Sequence, residues 1–86
     1  MKIVKELIHF SQGLVLESGS KLDSFDLMVE TYGELNKDKS NAILVCHAFS
    51  GNHHAAGISS EDNQAGWWDQ IIGPNKAIDT NKYFVV

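Results

Sequence analysis

Ala42-Ile43-Leu44-Val45-Cys46 is an unbroken apolar run that ends abruptly at His47-Ala48-Phe49-Ser50-Gly51. A strand with no polar side is normally covered on both faces, as in a parallel sheet flanked by helices. Five residues are far too few to cross a bilayer. The run therefore predicts an interior strand, and the turn at its carboxyl end is where open α/β sheets bind ligands. A second apolar run, Tyr83-Phe84-Val85-Val86, predicts another strand of the same kind.

The rest of the chain supplies what surrounds them. Phe25, Leu27, Val29 and Thr31 alternate with Asp26, Met28, Glu30 and Tyr32, the period of a half-buried strand. Leu14 to Glu17 reads as a short strand, Ser18 to Lys21 as a turn, and the two strands as an antiparallel hairpin. Gly33 to Asn41 is polar and reads as an exposed loop. His47 to Ala65 is a long Gly-, Ser-, Asn- and His-rich loop, a length that is uncommon unless it serves a function. Gly66 to Ile72 predicts a helical turn, ended at Gly73-Pro74 because proline cannot continue a helix.

The fold class expected is thus α/β, an antiparallel hairpin leading into a mainly parallel sheet. A chain of 86 residues is small for a domain of that class. Residues 1–86 are expected to be one N-terminal segment of a single domain, truncated before its core is complete; a finished small α+β domain is the competing reading.

Composition removes several function classes. Net charge is -4 with both signs mixed along the chain, so no basic patch points to nucleic acid. The single cysteine, Cys46, excludes an internal disulfide and suits a reducing compartment as a buried thiol. Met1 to Phe10 lacks the apolar core of a signal peptide. A cytoplasmic location is expected, away from membranes.

His47, His53 and His54, with Asp62 and Asp69, do not follow a standard zinc spacing, so no metal is expected. His47 is expected to orient the loop, and Trp67 and Trp68 to pack. Asp69 and Asp79 read as loop and turn residues.

Five segments together resemble the homoserine O-acyltransferase family, in its order and spacing. They are Tyr32-Gly33-Glu34-Leu35-Asn36, His47-Ala48-Phe49-Ser50-Gly51, Gly66-Trp67-Trp68-Asp69, Ile72-Gly73-Pro74 and Lys76-Ala77-Ile78-Asp79-Thr80. Phe49 departs from a common leucine, and Asn52-His53 fall where the family varies. The resemblance implies an α/β-hydrolase fold and a methionine-pathway enzyme. Such an enzyme moves an acyl group from acyl-CoA to the hydroxyl of L-homoserine through a serine acyl-enzyme. It also implies a homodimer, with acetyl-CoA expected over succinyl-CoA as substrate and no bound cofactor.

The resemblance places the triad beyond Val86, so none of it is carried over. Ser50 is not the nucleophile, because Phe49-Ser50-Gly51 lacks the first glycine of Gly-x-Ser-x-Gly. What the resemblance does carry over is the backbone N–H of Phe49, as an oxyanion donor. Ser50, Gly51, Asn52 and His53 are expected to contribute to substrate binding. A plain esterase would share the oxyanion turn but not the Gly66-Trp67-Trp68-Asp69 segment, and a non-catalytic fragment is the third reading.

Overall fold

The computed structural model describes all residues 1–86, as strands and turns with no helix. Its main sheet begins with β1 (Ile3–Phe10) and continues with β4 (Phe25–Tyr32), paired antiparallel from Ile3 opposite Tyr32 to Phe10 opposite Phe25. Side chains directly opposite one another reinforce this register. Phe10 and Phe25 stack with centroids 5.0 Å apart, and His9 Nδ1 lies 2.6 Å from Asp26 Oδ1.

The connection carries β2 (Leu14–Val15) and β3 (Lys21–Leu22), which pair with each other. The hairpin predicted between Leu14–Glu17 and Phe25–Tyr32 is therefore corrected. The partner of Phe25–Tyr32 is Ile3–Phe10, a segment whose scattered apolar residues give no clear alternation. Leu14–Val15 instead closes locally, where Leu16 donates to the Ser20 carbonyl at 2.7 Å.

β5 (Ala42–Ile43) and β8 (Phe84–Val85) complete the sheet in the order β1-β4-β8-β5. β8 is antiparallel to β4 at Tyr32–Val85 and parallel to β5. β8 lies inside the sheet, and β1 and β5 are its edges. A small parallel pair, β6 (Ile72–Gly73) and β7 (Ile78–Asp79), sits in the crossover between β5 and β8. Gly66 to Ile72 forms turns, with Ile71 and Ile72 both donating to the Trp68 carbonyl. No helix of the chain is long and apolar enough to cross a membrane.

The core gathers where β4, β8 and the long loop meet. Tyr32, Ala55, Ala56, Ile72 and Val85 are buried, with Val45 and Ile78 packed against them. The apolar run 42–46 is covered on one face only. Val45 turns inward and donates to the Val86 carbonyl at 2.8 Å, while Leu44 is 74% exposed and Cys46 is exposed. The expected two-sided burial and buried thiol are thus corrected: alternate residues of a strand point to opposite faces, and nothing within these residues packs over the second face.

Two polar devices tie the loops to the sheet. Asn41 Nδ2 donates to the carbonyls of Glu34 and Lys82, each at 3.0 Å, joining the loop after β4 to the approach of β8. The Asp79 carboxylate accepts the Asn75 and Asn81 N–H groups, which hold it below the usual carboxylate range.

Gly33, at the end of β4, has a φ of +82°, and a Cβ there would sit 2.7 Å from the Tyr83 carbonyl oxygen and 2.8 Å from that of Thr80. Backbone cannot retreat as a flexible side chain can. Gly33→Ala is expected to lower stability by about 1–3 kcal/mol, the usual range for overpacking, with left-handed strain adding to it. Chemical denaturation checks this; an unchanged midpoint would mean that the turn relaxes freely.

Candidate functional site

The turn after β5 has a defined shape. Gly51 donates to the Ala48 carbonyl at 2.8 Å, placing Phe49 and Ser50 at the two central positions of a turn. Phe49 has a negative φ, its ring is fully exposed, and its N–H makes no hydrogen bond. A Cβ on Gly51 would lie 2.9 Å from the His47 Cβ, so a larger residue there would press on the turn. His47 Nδ1 lies 2.6 Å from the Ala48 carbonyl oxygen, in keeping with the loop-orienting role expected of it.

The second half of the loop is anchored. Asn52 Oδ1 accepts the His54 N–H at 2.8 Å, and the Asn52 carbonyl accepts the indole N–H of Trp67 at 2.9 Å. The Gly66-Trp67-Trp68-Asp69 segment runs along it as a clamp. The N–H groups of Gly66, Trp67 and Trp68 donate to the carbonyls of Gly57, His54 and Ala55, at 2.9, 3.2 and 2.7 Å. The Asp69 carboxylate accepts the Gly57 N–H at 2.7 Å. Gly66 is required by this approach, since a Cβ would lie 2.2 Å from the backbone of Ala55 and Ala56. Trp67 and Trp68 stack on each other with centroids 5.6 Å apart. This segment is read in the sequence only as packing and turn residues; its pairing with residues 52–57 is a tertiary fact.

Beneath the loop lies a buried polar network. The Tyr32 hydroxyl donates to Glu30 Oε2 at 2.5 Å and accepts the N–H groups of Ala55 and Ala56 at 2.8 and 3.2 Å. A tyrosine hydroxyl has one proton and two lone pairs, and these contacts use all three. Burial first, and then the bond to Glu30, push its pKa well above the ordinary tyrosine value. Glu30 Oε2 also accepts from His54 Nδ1 at 2.8 Å, and His54 Nε2 faces the Gln64 carbonyl at 3.1 Å. Two acceptors around one imidazole favour the doubly protonated ring.

Between β4 and the loop opens a groove of about 270 Å³, lined by Leu27, Met28, Leu44, His47, Asn52 and His53 among others. Of the residues expected to contact substrate, Asn52 and His53 line it. Phe49, Ser50 and Gly51 stand on the exposed turn beside it. No three His, Cys, Asp or Glu residues converge as a metal cluster would. Glu30, Tyr32 and His54 were missed as site residues. The alternation of β4 put Glu30 and Tyr32 on its polar side, and only their two-residue spacing hints that they share a face.

No family model matches the chain. It is 61% identical over 82 residues to homoserine O-succinyltransferase of Psychrobacter arcticus, covering 94% of this chain and 18% of that protein. It is 58% identical over 85 residues to the protein of the same name from Neisseria meningitidis serogroup B, covering 98% and 22%. Among solved structures, homoserine O-acetyltransferase from Bacillus anthracis matches with a TM-score of 0.86 at 45% identity, over 99% of this chain and 22% of that one. Esterase E22 matches with a TM-score of 0.87 at 40% identity, over 98% and 23%. The chain spans about a fifth of the length of the curated relatives it matches. The matched stretch is the N-terminal part of homoserine acyltransferases and of an α/β-hydrolase fold.

Burial alone would lower the His54 pKa, but the bonds to Glu30 and the Gln64 carbonyl, with the charges of Glu30 and Asp62, raise it above its ordinary 6.5. A raised value in the folded state means the contribution is fully present below pH 6.5 and is lost as pH rises through the folded value. The stability difference between the native protein and His54→Gln is therefore expected to shrink as pH climbs from about 6 through neutrality. Thermal unfolding of both proteins across pH measures it; a constant gap would show that His54 does not carry the charge.

Proposed function

We propose that this chain is the opening segment of an acyltransferase that moves an acyl group from acyl-CoA to the hydroxyl of L-homoserine, in methionine biosynthesis. The carrying observation is the identity of 58–61% to proteins named homoserine O-succinyltransferase, sustained over nearly the whole chain. In this reading a serine elsewhere in the protein forms the acyl-enzyme, and the homoserine hydroxyl then attacks it. The resemblance of the five sequence segments also implies a homodimer with no bound cofactor, and the setting proposed for it is the cytoplasm.

The part assigned to these residues is charge stabilisation. Negative charge develops on the acyl carbonyl oxygen as a nucleophile adds to it, and a fixed N–H aimed there stabilises it without reorganising. Phe49 offers such a donor, a backbone N–H with no hydrogen-bond partner in a turn at the end of a strand. Ser50, Gly51, Asn52 and His53 surround it as the substrate-contacting loop. The segment lacks the triad in this reading and is inactive by itself. Its slight core, five buried apolar residues, supports its inactivity in isolation.

The names of the relatives favour succinyl-CoA as donor, whereas the sequence segments alone led us to expect acetyl-CoA. A second reading is a simple esterase, favoured by the match to esterase E22. Assaying the full-length protein with succinyl-CoA, acetyl-CoA and a simple ester, with and without homoserine, separates these readings. Homoserine-dependent release of coenzyme A is expected. Ester hydrolysis without any homoserine-dependent release would favour the esterase.

Phe49 occupies the first central position of its turn, where proline is well accommodated. Phe49→Pro therefore removes the N–H with little disturbance of the turn itself. It is expected to lower turnover of the full-length enzyme by about 100- to 1,000-fold, the usual cost of one oxyanion donor. Phe49→Leu keeps the N–H and should leave turnover nearly unchanged, since the ring contacts nothing. A folded Phe49→Pro enzyme with normal turnover would place the donor elsewhere.

A further inference from the structure

We propose that Tyr32, Glu30 and His54 are positioning residues that hold the arch Cys46–Gly51 in place and so fix where the Phe49 N–H points; this rests on the oxyanion reading of Phe49. The arch has two feet. On one side Val45 is hydrogen-bonded to Val86 in the sheet, and on the other Asn52 is held by Trp67 and His54. Between them Gly51 to Ala48 is the one backbone bond, so the arch takes its direction from its feet.

The second foot stands on Tyr32. The backbone of Ala55 and Ala56 follows the Asn52–His54 turn directly, and both N–H groups are bound to one buried hydroxyl. Tyr32 is 1% exposed and Glu30 8%, so neither the hydroxyl nor the carboxylate can exchange these partners freely for water. Glu30 receives Tyr32 from its own strand and His54 from the loop on the same oxygen. A single carboxylate oxygen thereby locks the loop to β4. Glu30 and Tyr32 share a face of β4 by their spacing, and β4 itself is fixed by an eight-residue register with β1. Rigidity therefore passes from the sheet, through one hydroxyl and one carboxylate, to the foot of the arch.

Tyr32→Phe removes one oxygen and leaves two buried N–H groups without an acceptor. The loop must then shift to recover water or another partner. A displacement near 1 Å in a reacting group can cost about 100-fold in rate. In the full-length enzyme, kcat per acylatable site, counted by the burst of coenzyme A release, is expected to fall by about 10- to 100-fold, with KM for the thioester within about threefold. Counting sites removes any effect of a smaller folded fraction. Glu30→Gln keeps Tyr32 and an oxygen acceptor at the same length, and should lose less than Tyr32→Phe does. Amide hydrogen exchange of residues 46–56 is followed in the same proteins and should quicken in Tyr32→Phe while β1 and β4 stay protected.

An enzyme with normal kcat per site and unchanged exchange in Tyr32→Phe would overturn the positioning role and leave the acyltransfer reading standing. Should Tyr32→Phe fail to fold, Glu30→Ala carries the same test, because it removes the acceptor shared by Tyr32 and His54. Absence of acyl transfer in the unmodified protein, with faster exchange of 46–56 in Tyr32→Phe, would overturn the acyltransfer reading and keep the anchoring of the loop.

Discussion

One saturated hydroxyl organises this structure. Tyr32 lies at the end of the long hairpin strand, in register with Ile3 on one side and Val85 on the other. Its oxygen joins two buried backbone donors of a loop that has no regular structure of its own. Buried backbone groups need partners, and a long loop supplies few from within. Without the Tyr32 oxygen the Ala55 and Ala56 donors would each cost about 1–3 kcal/mol, and the loop would shift against the sheet.

The clamp of Gly66-Trp67-Trp68-Asp69 meets the same loop from its other side. It satisfies the carbonyls of His54, Ala55 and Gly57 while Tyr32 and Asp69 satisfy N–H groups of Ala55, Ala56 and Gly57. Sheet and clamp thus divide the polar backbone of residues 54–57 between them. The absence of a side chain at Gly66 is what lets the two backbones come this close. A loop held in this way can end in a turn whose own N–H groups remain free, as that of Phe49 does. Rigid support beneath and an unengaged donor at the crest are what preorganised charge stabilisation asks of a backbone.

The exposed apolar residues follow from the same geometry. Leu44 and Cys46 point away from the core side of their strand, and the groove beside them is lined by Leu27 and Met28. The parallel pairing of β5 with β8 matches an apolar run that has no polar face. These residues supply one layer of cover to such a strand, and the chain spans about a fifth of its curated relatives.

By itself the sequence determined the strand at Phe25–Tyr32, the short strands Ala42–Ile43 and Phe84–Val85 within the apolar runs 42–46 and 83–86, the polar loop before the first of them and the turn at Ala48–Gly51. Each of these is written in a local pattern: a period of two, an unbroken apolar run, or small and polar residues where a turn must form. The five segments also pointed to the family resemblance, because order and spacing are properties of the chain alone. Only the tertiary structure decided that Ile3–Phe10 is the hairpin partner, that the last strand lies inside the sheet, and that Cys46 is exposed. Pairing and cover are relations between distant residues, and no local period records them. The same holds for Glu30, Tyr32 and His54. Their chemistry is ordinary in isolation, and it becomes a single network only when the sheet brings a strand end and a loop about 24 residues apart in sequence to within hydrogen-bond distance.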